Sequence, residues 1–256
     1  VIQIYRGIYM SGHSKWATIK HKKGIADAKR GQAFTKLIKE ITVCAKMGGP
    51  DPESNARLRT AILKARAENM PKDNIERAIK KGSGELGAST FYELTYEGYA
   101  PGGVAIIIDT LTDNKNRTAS DVRSTLTKLG GSLGATGCVS YMFQTKGIIT
   151  YSTEKYTEDQ IFEVALENGA EDVSTSDDVI EVTTTPSDFA TVLEAMQAAG
   201  FEQESADVQK IADQTVSLDA EKAAKVMKIV ERLEELDDVQ QVSTNLDLPD
   251  DFDLED

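Results

Sequence analysis

The order of strands and helices is clearest in one stretch, Val104-Ala105-Ile106-Ile107-Ile108-Asp109-Thr110-Leu111, and in the residues that follow it to Gly131. A short apolar run bounded by polar residues predicts a buried strand. From about Asn116 to Leu129 the pattern is helical, and Gly130-Gly131 ends the helix. A further strand, Tyr92 to Tyr96, precedes this stretch. The region therefore predicts a split β-α-β unit built on paired strands.

The same alternation of strands and helices continues to the end of the chain. Further strands are predicted at 139–143, 148–151, 172–184 (a pair), 207–216 and 239–244, and further helices at 157–168, 187–199 and 219–236. Two small ferredoxin-like α+β layers fit this order better than one doubly wound sheet. Gln144 to Gly147 is the predicted crossing point between the layers, and the last strand–helix–strand segment returns to complete the first. The final ten residues contain six acids and are predicted to form a mobile tail.

The region before the first strand is predicted to be a small helical bundle. Phe34, Leu37, Ile38, Ile41 and Ala45 repeat at helical spacing before Gly48-Gly49-Pro50 ends that helix. Two more helical runs follow, the second opened by a proline and closed by Lys80-Lys81-Gly82. A glycine-rich hinge spans 82–87. The predicted domains are a basic helical domain at 10–82, an α+β domain at 88–143 plus 207–246, and an inserted α+β domain at 144–206.

Charge is divided unevenly between the two ends of the chain. Residues 1–85 hold 18 lysines and arginines against 8 acids, a net charge of +10, whereas the remaining residues carry −23. Polyanions respond to local patches rather than to the molecular average. The basic end therefore predicts nucleic-acid binding, although the whole chain is acidic at −13.

The candidate contact residues lie mainly in and after the acid-free run from His13 to Lys23. Lysines attract phosphates irrespective of sequence, and a tryptophan can stack on an unpaired base. Two alternatives stay open: a solvated helix face for the lysines, and an anchor to the bundle for the tryptophan. The predicted nucleic-acid contacts are His13, Lys15, Trp16, Lys20, His21, Lys22, Lys23, Lys29, Arg30, Lys36 and Lys39. Lys115 and Arg117 are secondary candidates at a strand-to-helix junction, where helix capping by their neighbours is the competing role.

Other kinds of site are disfavoured. His13 and His21 lack zinc-like spacing, and Asp109 with Asp113 gives only weak support for a cation site. In the glycine-rich stretch 130–137 the order is helix, glycines, strand, whereas a dinucleotide loop requires strand, glycines, helix. The sequence predicts no cofactor, no metal and no catalytic residue.

The rest of the composition indicates a protein of the cytoplasm. Cys44 and Cys138 suggest neither a disulfide framework nor a metal site, and no segment has the roughly 20 apolar residues of a membrane span. Residues 1–9 lack the features of a signal peptide, and Met10 is the expected start of the functional protein.

Several long motifs together resemble one family, the YebC/PmpR proteins, whose mitochondrial relatives include a translational activator of cytochrome c oxidase. The matching stretches are 12–23, 28–31, 69–82, 96–103, 113–118 and the turn 130–137 running into 139–143. The resemblance extends from Met10 almost to the C-terminus. It implies a cytoplasmic three-domain protein, with an N-terminal helical domain and two α+β domains, the third inserted in the second. It brings no catalytic residues with it.

The function expected from these observations is a non-enzymatic nucleic-acid-binding regulator, namely a DNA-binding regulator of transcription. The family resemblance also allows a translation factor that associates with ribosomal RNA. A nuclease-type hydrolase and a protein-interaction adaptor are weaker alternatives. The expected partners are DNA, ribosomal RNA or both, without membrane or small-molecule cofactor, and the protein is expected to be a monomer.

Overall fold

The computed structural model describes residues 27–87, 90–176 and 178–249. Three helices come first: α1 (Asp27–Gly48), α2 (Ala56–Ala67) and α3 (Lys72–Gly82). The apolar face predicted for α1 lies in their common core, beside Leu58, Ile62 and Ile75. Asn55 ties the first two helices together. Its Oδ1 accepts from the N–H of Leu58 at the start of α2, while its Nδ2 donates to the Cys44 and Gly49 carbonyls at the end of α1.

A four-stranded sheet follows. Its strands are β1 (Tyr92–Ala100), β2 (Val104–Thr112), β3 (Ser132–Leu133) and β9 (Val239–Thr244), and its helices are α4 (Lys115–Lys128) and α7 (Ala220–Glu234). The strands lie in the order β3-β1-β2-β9. The hairpin β1–β2 is antiparallel, with Tyr92 opposite Thr112 and Ala100 opposite Val104. All but one residue of β2 are buried, which explains its near-continuous apolar sequence. A short parallel pair, β8 (Val216–Ser217) and β10 (Leu246–Asp247), completes this part.

The second sheet is built, in chain order, from β4 (Phe143–Ser152), α5 (Glu158–Glu167), β5 (Asp172–Ser176), β6 (Val179–Thr184), α6 (Phe189–Ala198) and β7 (Ser205–Ala212). Its strands lie in the order β5-β6-β4-β7. This βαββαβ order of elements, with β4 and β6 in the middle of the sheet and β5 and β7 at its edges, is ferredoxin-like, as predicted. The predicted class, a multidomain α+β protein, is confirmed by the two sheets and the helical segment.

Within the described residues the chain forms two compact units, one of residues 145–209 and the other of residues 27–144 with 210–249. The predicted division into three domains stays a proposal. None of the described helices has both the length and the hydropathy needed to cross a bilayer.

Four local predictions need correction. The strand predicted at 207–216 is two strands of different sheets, because β7 ends at Ala212 and β8 pairs with β10. The segment 139–143 was predicted as a strand, but Ser140–Met142 forms a 3-10 turn and β4 begins only at Phe143. The stretch 130–137 was predicted as a turn, yet it contains β3. β3 can approach because Gly98 lacks a side chain: a Cβ there would lie 2.2 Å from the Ser132 carbonyl oxygen. The predicted tail starts too early, since β10 includes Asp247 and the side chain of Leu248 is buried.

Candidate nucleic-acid interface

The predicted contact residues fall into described and undescribed parts of the chain. His13, Lys15, Trp16, Lys20, His21, Lys22 and Lys23 lie outside the described residues. Lys29 and Arg30 belong to the first turn of α1, and their side chains lie outside the described part as well. Their role in binding nucleic acid therefore stays a prediction.

Lys36 and Lys39 on α1 have protein partners at the C-terminal end of α7. The Lys36 ammonium donates to the Glu234 carbonyl at 2.5 Å. The Lys39 ammonium donates to the Asp237 carbonyl at 3.0 Å and forms an ion pair with Asp238 at 2.9 Å. Cations are favoured beside the unpaired carbonyls at a helix C-terminus. A phosphate would have to compete with these partners, so both lysines attach α1 to the α+β layer.

Asp238 is the centre of a buried polar cluster that includes Arg117, one of the secondary candidates. Its Oδ2 accepts from Arg117 Nη2 at 2.7 Å and from the Thr118 hydroxyl at 2.9 Å, while Oδ1 binds Lys39. Only 8% of the Asp238 side chain is exposed. Burial alone would raise its pKa, but the hydrogen bonds from Arg117, Lys39 and Thr118 outweigh burial and lower the pKa to about 2. The carboxylate thus joins α1, α4 and the turn before β9.

The first turn of α4 has the helix cap that competed with nucleic-acid contact as the role of this segment. Asn114 is the N-cap, and its Oδ1 accepts from the Arg117 N–H at 3.1 Å. Arg117 also pairs with Asp113 at 2.8 Å, and the Lys115 ammonium lies 4.0 Å from the centre of the Tyr92 ring. Both carboxylates of the weak cation-site prediction are paired with cations of the chain, Asp113 with Arg117 and Asp109 with Lys210.

The described helices also carry basic side chains that the sequence did not single out as contacts. Arg66 on α2 and Arg77 and Lys80 on α3 are exposed, and none of them forms an ion pair or hydrogen bond with another described residue. Arg77 and Lys80 are three residues apart and so lie on one side of α3. That spacing is the sequence pattern that indicates a basic side of α3. The sequence instead predicted the lysines at the end of α3 as helix-closing charges, a role that leaves their ammonium groups accessible to phosphate.

The glycine-rich stretch 130–137 and its continuation bind a carboxylate of the chain itself. Glu97 on β1 is only 5% exposed. Its carboxylate accepts from the backbone N–H groups of Gly137, Val139 and Ser140 at 2.7, 2.8 and 2.9 Å. Burial tends to raise the pKa of Glu97, but the three donors prevail and the pKa is lowered. These N–H groups resemble an anion-binding loop, and Glu97 occupies it.

Two tyrosines are exposed beside this loop. Tyr141, in the 3-10 turn, is 75% exposed, and Tyr99 on β1 is also exposed, with its hydroxyl 3.4 Å from the Cys138 carbonyl. Exposed aromatic rings can stack on unpaired bases. Among the described residues no three histidine, cysteine, aspartate or glutamate side chains cluster in a way that could hold a metal ion.

The fold and these contacts define a class: a multidomain α+β protein whose positive charge is concentrated in an N-terminal helical part. The chain belongs to the TACO1/YebC family. The family's N-terminal domain matches residues 14–85, and its second and third domains match residues 91–246.

Relatives and a solved structure agree with this assignment over nearly the whole chain. A probable transcriptional regulatory protein of Treponema denticola is 64% identical over 245 residues, which is 96% of this chain and 99% of the relative. A protein of the same name from Treponema pallidum is 60% identical, covering 94% of this chain and 98% of the relative. The crystal structure of a conserved hypothetical protein from Aquifex aeolicus is 50% identical, with a TM-score of 0.82, and covers 94% of this chain and 100% of its own.

Proposed function

We propose that this protein is a nucleic-acid-binding regulator of transcription that acts on DNA without catalysing a reaction. One observation carries the proposal: the excess positive charge lies in the N-terminal domain of a chain whose relatives are named transcriptional regulatory proteins. As further proposals, the protein acts in the cytoplasm as a monomer and needs no cofactor.

The physical basis of the proposed binding is phosphate attraction by the helical domain. Lysine and arginine neutralise phosphates and release condensed counterions, which supplies affinity irrespective of sequence. Arg66, Arg77 and Lys80 present such charges on the described helices, and the acid-free run 13–23 adds to them. The remainder of the chain carries a net charge of −23, so away from local basic patches it repels the polyanion. The charge division therefore orients the basic domain toward the nucleic acid.

Replacing Lys20, Lys22 and Lys23 together with alanine should weaken binding to every duplex sequence and flatten the salt dependence. Each lost phosphate contact reduces the slope of log K against log salt by about 0.9 on duplex DNA. Fluorescence anisotropy titrations at several salt concentrations would measure this slope. The matched control replaces the exposed Lys222, Lys225 and Lys228 of α7 with alanine, and this change removes the same amount of positive charge. Equal slopes for the wild type and the 20/22/23 variant would contradict the assignment of this run.

The nature of the nucleic acid is tested in cells. Crosslinking followed by sequencing of both bound DNA and bound RNA should recover chromosomal DNA in excess if the protein regulates transcription. Recovery dominated by ribosomal RNA would contradict the proposal and indicate a ribosome-associated translation factor.

A further inference from the structure

Helix α4 has two unlike faces. Thr118, Val122 and Leu126 are buried against the sheet side. The opposite face is polar and forms one wall of an open groove. Its described lining residues are Asn116, Ala119, Ser120, Arg123, Ser124, Thr127 and Lys128. Their spacing of three and four residues places them along one stripe of the helix.

The charge on this stripe has one sign. None of the described lining residues is acidic, and the one acid of α4, Asp121, lies outside the groove. Arg123 and Lys128 are exposed, and neither forms a hydrogen bond or ion pair with another described residue. Most other cations in the acidic part of the chain are paired with a carboxylate, namely Arg117, Lys146, Lys155, Lys210, Lys222, Lys225 and Arg232. Exposed Lys228 of α7 also has no such partner among the described residues, but it does not lie on a stripe free of acids.

We infer that the groove face of α4 is a second nucleic-acid contact, which holds a phosphate backbone with Arg123 and Lys128. The inference rests on the proposed function, because it names a further surface for the same polyanion. Arg123 and Lys128 are about 7.5 Å apart along the helix axis, at 1.5 Å per residue. Phosphates of one DNA strand follow at about 3.4 Å along the duplex axis, so the two cations reach different phosphates.

The remaining lining residues suit a backbone contact. Ser120, Ser124 and Thr127 carry hydroxyls, and Asn116 carries an amide, and such groups commonly bind phosphate oxygens and sugars. Ala119 is the single apolar side chain in the described lining, and its small size permits close approach. A stable protein partner would need an apolar centre in its interface, which this face does not offer among the described residues.

The test is a double variant, Arg123→Gln with Lys128→Gln, titrated with a fluorescein-labelled DNA duplex of about 20 base pairs at several salt concentrations. Loss of two phosphate contacts should reduce the salt slope by about 1.8, which changes the affinity lost over a fourfold rise in salt by about twelvefold. The matched control, Lys222→Gln with Lys225→Gln, removes the same charge from side chains already paired with Asp219 and Glu221, and should keep the wild-type slope. Thermal unfolding should be unchanged in both, because all four side chains are exposed.

The outcomes separate this inference from the proposed function. If the 20/22/23 variant loses affinity but the α4 variant keeps the wild-type slope, the inference is overturned and the proposed function stands. If the α4 variant binds more tightly than the wild type, and truncation after Pro249 abolishes that gain, the groove serves the chain's own acidic C-terminal residues and the inference is again overturned. A wild-type chain that binds neither DNA nor RNA overturns both. The inference is supported if the Arg123/Lys128 variant has a reduced salt slope and the Lys222/Lys225 control keeps the wild-type slope.

Discussion

Replacing Glu97 with alanine should lower the free energy of unfolding by about 3–5 kcal/mol, because its carboxylate accepts three hydrogen bonds and a hydrogen bond to a charged group contributes about 1.5–3 kcal/mol, part of which water restores at the exposed Gly137 and Ser140. The Gly137, Val139 and Ser140 N–H groups lose their acceptor, and Val139 is itself fully buried. The loop that Glu97 holds also covers the core residues Ala105 and Ile107 of β2. Urea unfolding followed by circular dichroism would measure the loss.

Two further variants sharpen this prediction. Glu97→Gln keeps the shape but turns one oxygen acceptor into an N–H donor, so it should cost about 1–3 kcal/mol. Glu76 is an exposed acid of α3 whose ion pair among the described residues is with Lys72, and Glu76→Ala should change stability by less than about 0.5 kcal/mol. The prediction is wrong if Glu97→Ala and Glu76→Ala unfold at the same urea concentration.

The pH dependence follows from the direction of the Glu97 pKa. The folded pKa lies below the ordinary value, so the folded protein binds protons less readily than the unfolded chain. The stability contributed by Glu97 is fully present above the unfolded pKa and is lost as the pH falls through the folded pKa. Glu97→Gln should therefore show a weaker loss of stability on acidification than the wild type.

Replacing Asp238 with alanine should cost about 3 kcal/mol, because it leaves Lys39 and Arg117 without their shared buried carboxylate. A double-mutant cycle identifies the source of the loss. Lys39→Ala and Asp238→Ala should show a coupling energy of about 1–3 kcal/mol, as expected for groups in one network. The exposed pair Lys225 and Glu221 on α7 is the control, with an expected coupling below about 0.5 kcal/mol. Additive effects of Lys39→Ala and Asp238→Ala would contradict the role assigned to the cluster.

Asp238 also gives a pH signature. Its folded pKa is about 2, against an unfolded value of about 3.9. Because the folded pKa is the lower one, its contribution of about 2–3 kcal/mol is complete above about pH 5 and is lost progressively as the pH falls from about 5 to about 1. Asp238→Asn should remove that part of the acid transition, which chemical unfolding at a series of pH values would show.

The sequence predicted the main elements because their signals are local. The apolar run of β2 and the helical spacing of α1 and α4 needed no knowledge of distant residues. The errors occur where a partner far along the chain decides the local structure. Glu97 binds the N–H groups of Val139 and Ser140, and so replaces the strand predicted there with a turn. Gly98 admits β3, a strand too short to show a pattern of its own.

The candidate site was less predictable for the same reason. A basic side chain looks alike in sequence whether its partner is a phosphate or a carboxylate of its own chain. Lys36, Lys39 and Arg117 find acceptors in residues 234–238, about 120 to 200 positions away. The proposed contact at Arg123 and Lys128 has no dense run of lysines in the sequence, and its only signal is a polar stripe without acids along one face of α4.

The strand β9 gives the chain an order of assembly during synthesis. β2 lies between β1 and β9, and Asp238 joins the turn before β9 to both α1 and α4. The first sheet cannot be completed until residue 244 has left the ribosome, although its first strand starts at residue 92. The unit of residues 145–209 is continuous in sequence and leaves the ribosome earlier. It can therefore fold before the last strand of the other unit, β9, has been synthesised. In a nascent chain that stops before Val239, the edge of β2 that pairs with β9 is therefore exposed. An unpaired apolar edge strand favours aggregation and chaperone binding.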